Sequence, residues 1–160
     1  MKRHVVEPLL VLTLFFTYVA GALLLCVMGA LVYQRAADTM QSGYDRRTGA
    51  LYLTEKVRQH DTAGGVRVAT LAQGDALVLT TRLEGEAYET WIYVHKGYLC
   101  EVMVAAGSPV SPDGGQSIMP MEALQLSTSG GLLHIHLTAG DGTVAEVNLA
   151  PRCALKGVAA

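Results

Sequence analysis

Charge, aromatic residues and cysteine are all scarce in this sequence. Only 16% of its 160 residues are Asp, Glu, Lys or Arg, where an ordinary soluble domain carries about 25%. Basic residues number 12 against 14 acidic ones, for a formal charge of −2. Without a basic surplus the chain lacks the electrostatic footprint of a nucleic-acid binder. The three cysteines, Cys26, Cys100 and Cys153, stand far apart. None falls in a C-x-x-C pair or at a Cys/His ligand spacing, which excludes a zinc-finger framework and a thioredoxin-like motif. Both Phe residues, Phe15 and Phe16, lie in one apolar run, so a core elsewhere must rest on Val, Leu, Ile, Tyr and Trp91.

What the sequence does have is that run. From Pro8 to Tyr33, 26 residues pass without an Asp, Glu, Lys, Arg or His. As a helix rising about 1.5 Å per residue it would be roughly 39 Å long, more than the ~30 Å hydrocarbon core of a bilayer. Pro8 fits the first turn of such a helix, where its missing N–H costs nothing. A cleaved signal peptide would need a shorter apolar core and a small-x-small site in a polar context. Ala20-Gly21-Ala22 has the small residues, but eleven more uncharged residues follow before Gln34. Arg35-Ala36-Ala37 begins with the wrong residue, and Leu25 stands before Cys26 where a lipoprotein signal needs a small one. An uncleaved anchor over 8–33 is the better reading. Lys2 and Arg3 outweigh Glu7 on the short flank 1–7, which favours an amino terminus in the cytoplasm and the rest of the chain outside the cell membrane. The reverse orientation is the alternative.

Residues 34–61 hold many helix formers and no Pro, and predict an amphipathic stalk. Ala36, Ala37, Met40, Tyr44 and Leu51 fall on one arc, Ala50, Leu53 and Val57 on another. The change of phase near Gly43 and Gly49 predicts a kink or two segments, with the second stripe packing onto the domain that follows. After Gly65 the period becomes two. Strands are predicted over 66–71, 76–83, 88–95, 98–104, 123–127, 132–138 and 143–149, with turns at Gly74-Asp75, Glu84-Gly85-Glu86, Lys96-Gly97 and Gly130-Gly131, and a loop over 107–115. The fold class is therefore α+β: a long amino-terminal transmembrane and stalk helix, then an antiparallel β-meander of seven strands over 62–160.

A long helix, apolar first and amphipathic later, ahead of an antiparallel sheet is the plan of type IV pilins and pseudopilins. The stretches Tyr52-Leu-Thr-Glu-Lys-Val-Arg-Gln-His-Asp61, Gly74-Asp-Ala-Leu-Val-Leu79, Tyr88-Glu-Thr-Trp-Ile-Tyr93 and Gly97-Tyr-Leu-Cys-Glu101 are similar to a family of small single-pass proteins of Gram-positive bacteria that carries a domain-of-unknown-function label. That family resembles the minor pseudopilins of competence and secretion systems in layout. The resemblance runs from Pro8 to Cys153 and implies a membrane-anchored accessory subunit that packs against other pilin-like subunits through its amino-terminal helix. The sequence departs from true pilins at the processing site: no Gly precedes residue 21, although Glu7 does precede the apolar run.

Candidate chemistry is sparse. Ala20, Gly21, Ala22, Gly29 and Ala30 are small enough to permit close helix approach within the anchor. Cys100 and Cys153 would close a loop of about 54 residues, a bond worth ~4 kcal/mol in the chain-entropy model. Alternation places Trp91, Tyr93 and His95 on one face of a strand, either as a ligand platform or as core. His134 and His136 flank Ile135 and share a face, and His95 or His60 would have to join them to bind zinc. Glu84, Glu86, Glu89 and Glu101 cluster in two hairpins as a cation clamp or as solvated turns. Gly114-Gly115 and Gly130-Gly131 lack the Lys-Ser/Thr of a phosphate loop, and no nucleophile elbow is present. The expectation is a protein with no enzymatic activity, cofactor or metal. The alternative to an assembly subunit is a monomeric anchored module that recognises an envelope ligand through its sheet face.

Overall fold

The computed structural model of the chain describes residues 3–152. One helix, α1 (Arg3–Gln59), precedes eight strands: β1 (Val66–Leu71), β2 (Gly74–Leu83), β3 (Glu86–His95), β4 (Tyr98–Ala105), β5 (Gln116–Pro120), β6 (Ala123–Ser129), β7 (Leu132–Thr138) and β8 (Val144–Leu149). All pairings are antiparallel. Strands β1 to β5 form one sheet and β6 to β8 a second, each in sequence order. The α+β layout read from the sequence is the one observed. The chain divides into two packing units, the first ending at Met40 and the second starting at Gln41.

The first unit is helical, and it is long and apolar enough to cross a membrane. Its most apolar window buries nothing within the chain; Phe15 and Leu25, for example, are 61% and 70% exposed. The hydroxyls of Thr13 and Thr17 donate to the carbonyls of Leu9 and Thr13, each at 2.8 Å. Back-bonding of this kind satisfies a polar group inside an apolar segment without a partner from elsewhere. Because α1 starts at Arg3, Pro8 lies inside the helix and beyond its first turn, contrary to the placement expected from its tolerance there.

In the second unit the end of α1 carries its buried stripe. Gly49, Leu53 and Val57 recur every four residues and are buried, Leu53 completely, as one face of a helix requires. Leu53 and Val57 join a single core with Val66, Val68, Leu77, Leu79, Ile92 and Leu99 of the first sheet and Leu124, Leu126, Leu133, Ile135 and Leu137 of the second. The stripe predicted from Ala50, Leu53 and Val57 is therefore the one that docks. Met40, Tyr44 and Leu51, on the other arc, are exposed. The helix assignment runs unbroken through Gly43 and Gly49, without the division into two segments that the phase change suggested. Gly49 serves packing: a Cβ there would lie 3.0 Å from Met121 Cε and 3.3 Å from Met119 Sδ.

Three hairpin turns, Glu84-Gly85, Lys96-Gly97 and Gly130-Gly131, have positive φ at both central residues. This is the type I′ geometry that matches strand twist. The first turn differs from expectation. It lies at Ala72-Gln73, and Gly74 and Asp75 already belong to β2. Asp75 is used elsewhere: its carboxylate accepts the backbone N–H of Leu126 on edge strand β6 at 2.7 Å. Strand β5 was not anticipated. It is a short edge strand ending at Pro120, and its register against β4 shifts between Leu99 and Cys100; a Pro-terminated, non-alternating segment gives no period to read.

Two measurements check this packing. Leu53→Ala should destabilise the domain by about 2–5 kcal/mol, while Leu51→Ala, two residues away on the exposed arc, should change it by less than ~0.5 kcal/mol; chemical unfolding in detergent micelles separates them. Asp75→Ala leaves the Leu126 N–H without its acceptor and should cost about 1–3 kcal/mol, with hydrogen exchange at Leu126 accelerated before that of the β7 interior.

Candidate functional site

Strand alternation divides β3 between two environments. Ile92 faces the main core, and Glu89, Trp91, Tyr93 and His95 face the outer side of the first sheet. Opposite Tyr93 stand Ala76 on β2 and Cys100 on β4; opposite Trp91 stand Val78 and Val102. Ala76, Tyr93 and Cys100 form a small second cluster, with Leu71, Trp91 and Val102 packed on it. The structure thus brings the predicted row Trp91, Tyr93 and His95 together on one face.

That face is covered by the chain's own groups. Near β1, Arg67 Nη2 contacts both carboxylate oxygens of Glu89 at 3.0 Å. Trp91 Nε1 donates to Glu89 Oε2 at 3.2 Å, and the Arg67 guanidinium lies 5.0 Å from the Trp91 ring centre. Ion pair, hydrogen bond and cation–π contact close on one another. At the other end the loop between β4 and β5 crosses the sheet as a strap, with a single 3-10 turn at Pro112–Gly114. Tyr93 Oη donates to the Pro112 carbonyl at 2.9 Å. Asp113 Oδ1 receives Lys96 Nζ at 2.6 Å and lies 2.9 Å from His95 Nε2. Gly115 rests on the Tyr93 ring and on Cys100 Cβ so closely that any side chain there would collide. Tyr93 is only 2% exposed, and burial, with Cys100 alongside, raises its pKa above the ordinary phenol value. The donors from Lys96 and His95 hold the Asp113 carboxyl below the usual aspartate value.

On the inner side of β4, Glu101 faces α1. Tyr52 Oη donates to Glu101 Oε2, and Lys56 Nζ reaches Oε1 at 2.7 Å while lying 5.4 Å from the Tyr52 ring centre. Partial burial raises the pKa of Glu101. The four hairpin glutamates do not converge on one site. Glu89 and Glu101 serve opposite faces of the sheet, and Glu86 accepts the Tyr88 hydroxyl at 3.2 Å.

The remaining candidates sit apart. His134 and His136 share the outward face of the second sheet, where His134 contacts Ser129 Oγ at 2.8 Å and Asn148 Oδ1 at 2.5 Å. His60 Nδ1 is tied to the Lys56 carbonyl at 2.8 Å. Among the described residues no group of three or more His, Cys, Asp or Glu stands close enough to hold a metal ion. Cys100 is buried, its Sγ 3.5 Å from the Tyr98 carbonyl; Cys153 lies outside the described residues, and so does any bond between the two. In the first unit Ala20, Gly21, Ala22, Gly29 and Ala30 are exposed, and a Cβ built on Gly21 or Gly29 meets nothing within 4 Å. An open groove of about 730 Å³, lined by Gln59, His60, residues 62–65 and Thr80, Thr81 and Arg82, was not anticipated from the sequence. The strap contacts and the Tyr52–Glu101–Lys56 cluster were missed as well, because they join residues 17 to 49 positions apart with no local pattern.

Glu101 gives a pH signature with a defined sign. Burial makes the folded protein hold its proton more tightly than the unfolded chain does. The stabilisation linked to this group is therefore fully present below the ordinary glutamate pKa and is lost as pH rises through the raised folded value. Glu101→Gln, neutral throughout, should flatten that part of a stability profile recorded from about pH 4 to pH 8; a profile with the same slope would exclude the assignment.

No curated protein and no solved structure matches the chain. A family model described as a domain of unknown function, DUF4860, matches residues 44–140. The matched segment runs from the buried end of α1 through β7 and takes in the strap, the outer face of the first sheet and the Glu101 cluster. It covers more than half of the sequence, and the protein belongs to the DUF4860 family.

Proposed function

We propose that this protein is a non-enzymatic accessory subunit of a pilin-like assembly of the type IV pilus, competence or secretion type. It is held in the cell membrane by residues 8–33, with its amino terminus in the cytoplasm and its β domain outside. The observation that carries this reading is the unequal use of α1. Its end supplies Leu53 and Val57 to the domain core, while its most apolar window buries nothing within the chain. Apolar area of that extent needs lipid or other apolar helices around it. The open space at Gly21 and Gly29 supports helices as partners, because backbones approach closely where side chains are absent.

A second reading, a monomeric anchored module that binds an envelope ligand, is favoured by the aromatic row on the outer face, where Trp91 is half-buried. One experiment separates the two. In native membranes, subunits that pack through the anchor should co-purify with the chain and cross-link through Cys26, which is exposed on the same helix. Gly21→Leu with Gly29→Leu should abolish both signals and leave the folded domain unchanged. Undiminished co-purification would overturn assembly through the anchor, whereas a parent chain that co-purifies and cross-links with no other subunit would leave the monomeric module standing.

A further inference from the structure

The strap over the outer face is held as a ligand would be held. Beside the close packing of Gly115 on Tyr93 and Cys100, its polar side-chain contacts with the sheet come from a backbone carbonyl, Pro112 O on Tyr93 Oη, and a carboxylate, Asp113 Oδ1 on Lys96 Nζ and His95 Nε2. Pro112 is half-buried, and Ser111, Asp113 and Gly114 are exposed. Beneath them lie Tyr93 and Cys100, 2% and 4% exposed. The receiving groups belong to regular structure: Tyr93 and His95 on β3, and Lys96 in a type I′ turn. The strap, by contrast, is irregular over most of its length and is flanked by Gly107, at φ +81°, and by Gly114 and Gly115. The side chains of Lys96 and Asp113 are 73% and 69% exposed, and ion pairs open to solvent contribute only about 0–1 kcal/mol. A regular receiving face held to an irregular segment by solvent-exposed contacts is a site occupied in cis.

We propose that Tyr93, His95 and Lys96 form a recognition site for a carboxylate-bearing peptide turn, filled in this chain by Pro112-Asp113 and open to a like segment of another protein when the strap lifts. The Tyr93 ring is the floor, its hydroxyl reads a backbone carbonyl, and the two basic side chains at the rim read the acid. The depressed pKa of Asp113 agrees with that pairing. The proposal names a ligand class for the outer face and so rests on that face being a recognition surface. It does not depend on whether the anchor meets other helices or lipid alone.

The test uses the full chain in detergent micelles with Cys26→Ser and Cys153→Ser, so that Cys100 is the one thiol a reagent can find. Asp113→Ala should release the strap and speed modification of Cys100 by about tenfold, the worth of one exposed ion pair and one hydrogen bond. The amidated, acetylated peptide Ser-Pro-Asp-Gly-Gly should then restore protection at millimolar concentration, the effective concentration that a short tether supplies in cis. The same peptide with Asn for Asp should not, and Lys96→Ala with His95→Ala in the released protein should abolish the effect. Modification as slow in Asp113→Ala as in the parent would overturn the strap as the cover. Exposure of Cys100 without protection by the peptide, or equal protection by the Asn peptide, would overturn the carboxylate site. The reading of the protein as an assembly subunit would then stand or fall separately, on the Gly21 and Gly29 variants.

Discussion

Leu53 and Val57 set the terms for the rest of the domain. Both sheets direct their inner faces into the one core that these residues share. The apolar face of a sheet such as β6–β8 must be buried against another layer, and its inward residues Leu133, Ile135 and Leu137 reach full burial in that core. Gly49 belongs to the same constraint, since the backbone of α1 runs close to Met119 and Met121 only because no side chain stands between. The end of α1 is thus a component of the fold and not simply a connection to it.

Polar contacts at the rim of this core give the apolar packing its register. Glu101 joins Tyr52 and Lys56 on the helix, Asp75 closes an N–H of edge strand β6, and Arg46 donates to the Val144 carbonyl at 3.3 Å. Apolar contacts are non-directional, whereas a carboxylate aimed at one N–H is not. On the far side of the first sheet the same economy holds. Arg67 and Glu89 close one end of the aromatic row and the strap closes the other, so a surface that reads as a bare platform in sequence is a covered one in structure.

Periodicity made most of this architecture legible. The apolar run, the stripe at Leu53 and Val57, and the alternating strands β1 to β4 and β6 to β8 all carry their own period, and the Lys96-Gly97 and Gly130-Gly131 turns carry their own chemistry. What was illegible lacked a period or depended on distant partners. Gln116–Pro120 is a strand because β4 offers it an edge, and Gly74-Asp75 is not a turn because Asp75 has a partner 51 residues away. The row Trp91, Tyr93 and His95 was found by alternation, but nothing near it in sequence announces that Pro112 and Asp113 lie on top. The phase change at Gly43 and Gly49 marks where the docking stripe begins, and the helix does not divide into two segments there, because a single glycine costs a helix only about 1 kcal/mol.

The order of the strands bears on how the chain folds. Every ladder in both sheets joins strands adjacent in sequence, so each hairpin closes a short loop and can form as soon as its second strand is free. The costly closures are those that bring α1 to the second sheet, where Arg46 and Val144 are separated by 98 positions. Local zippering of two meanders, followed by one long-range docking event onto a helix made first, is the route this topology favours. The three-stranded sheet, last in sequence, also meets the first sheet where β6 lies against β2, so its docking closes a second long loop, from Asp75 to Leu126, at the same step.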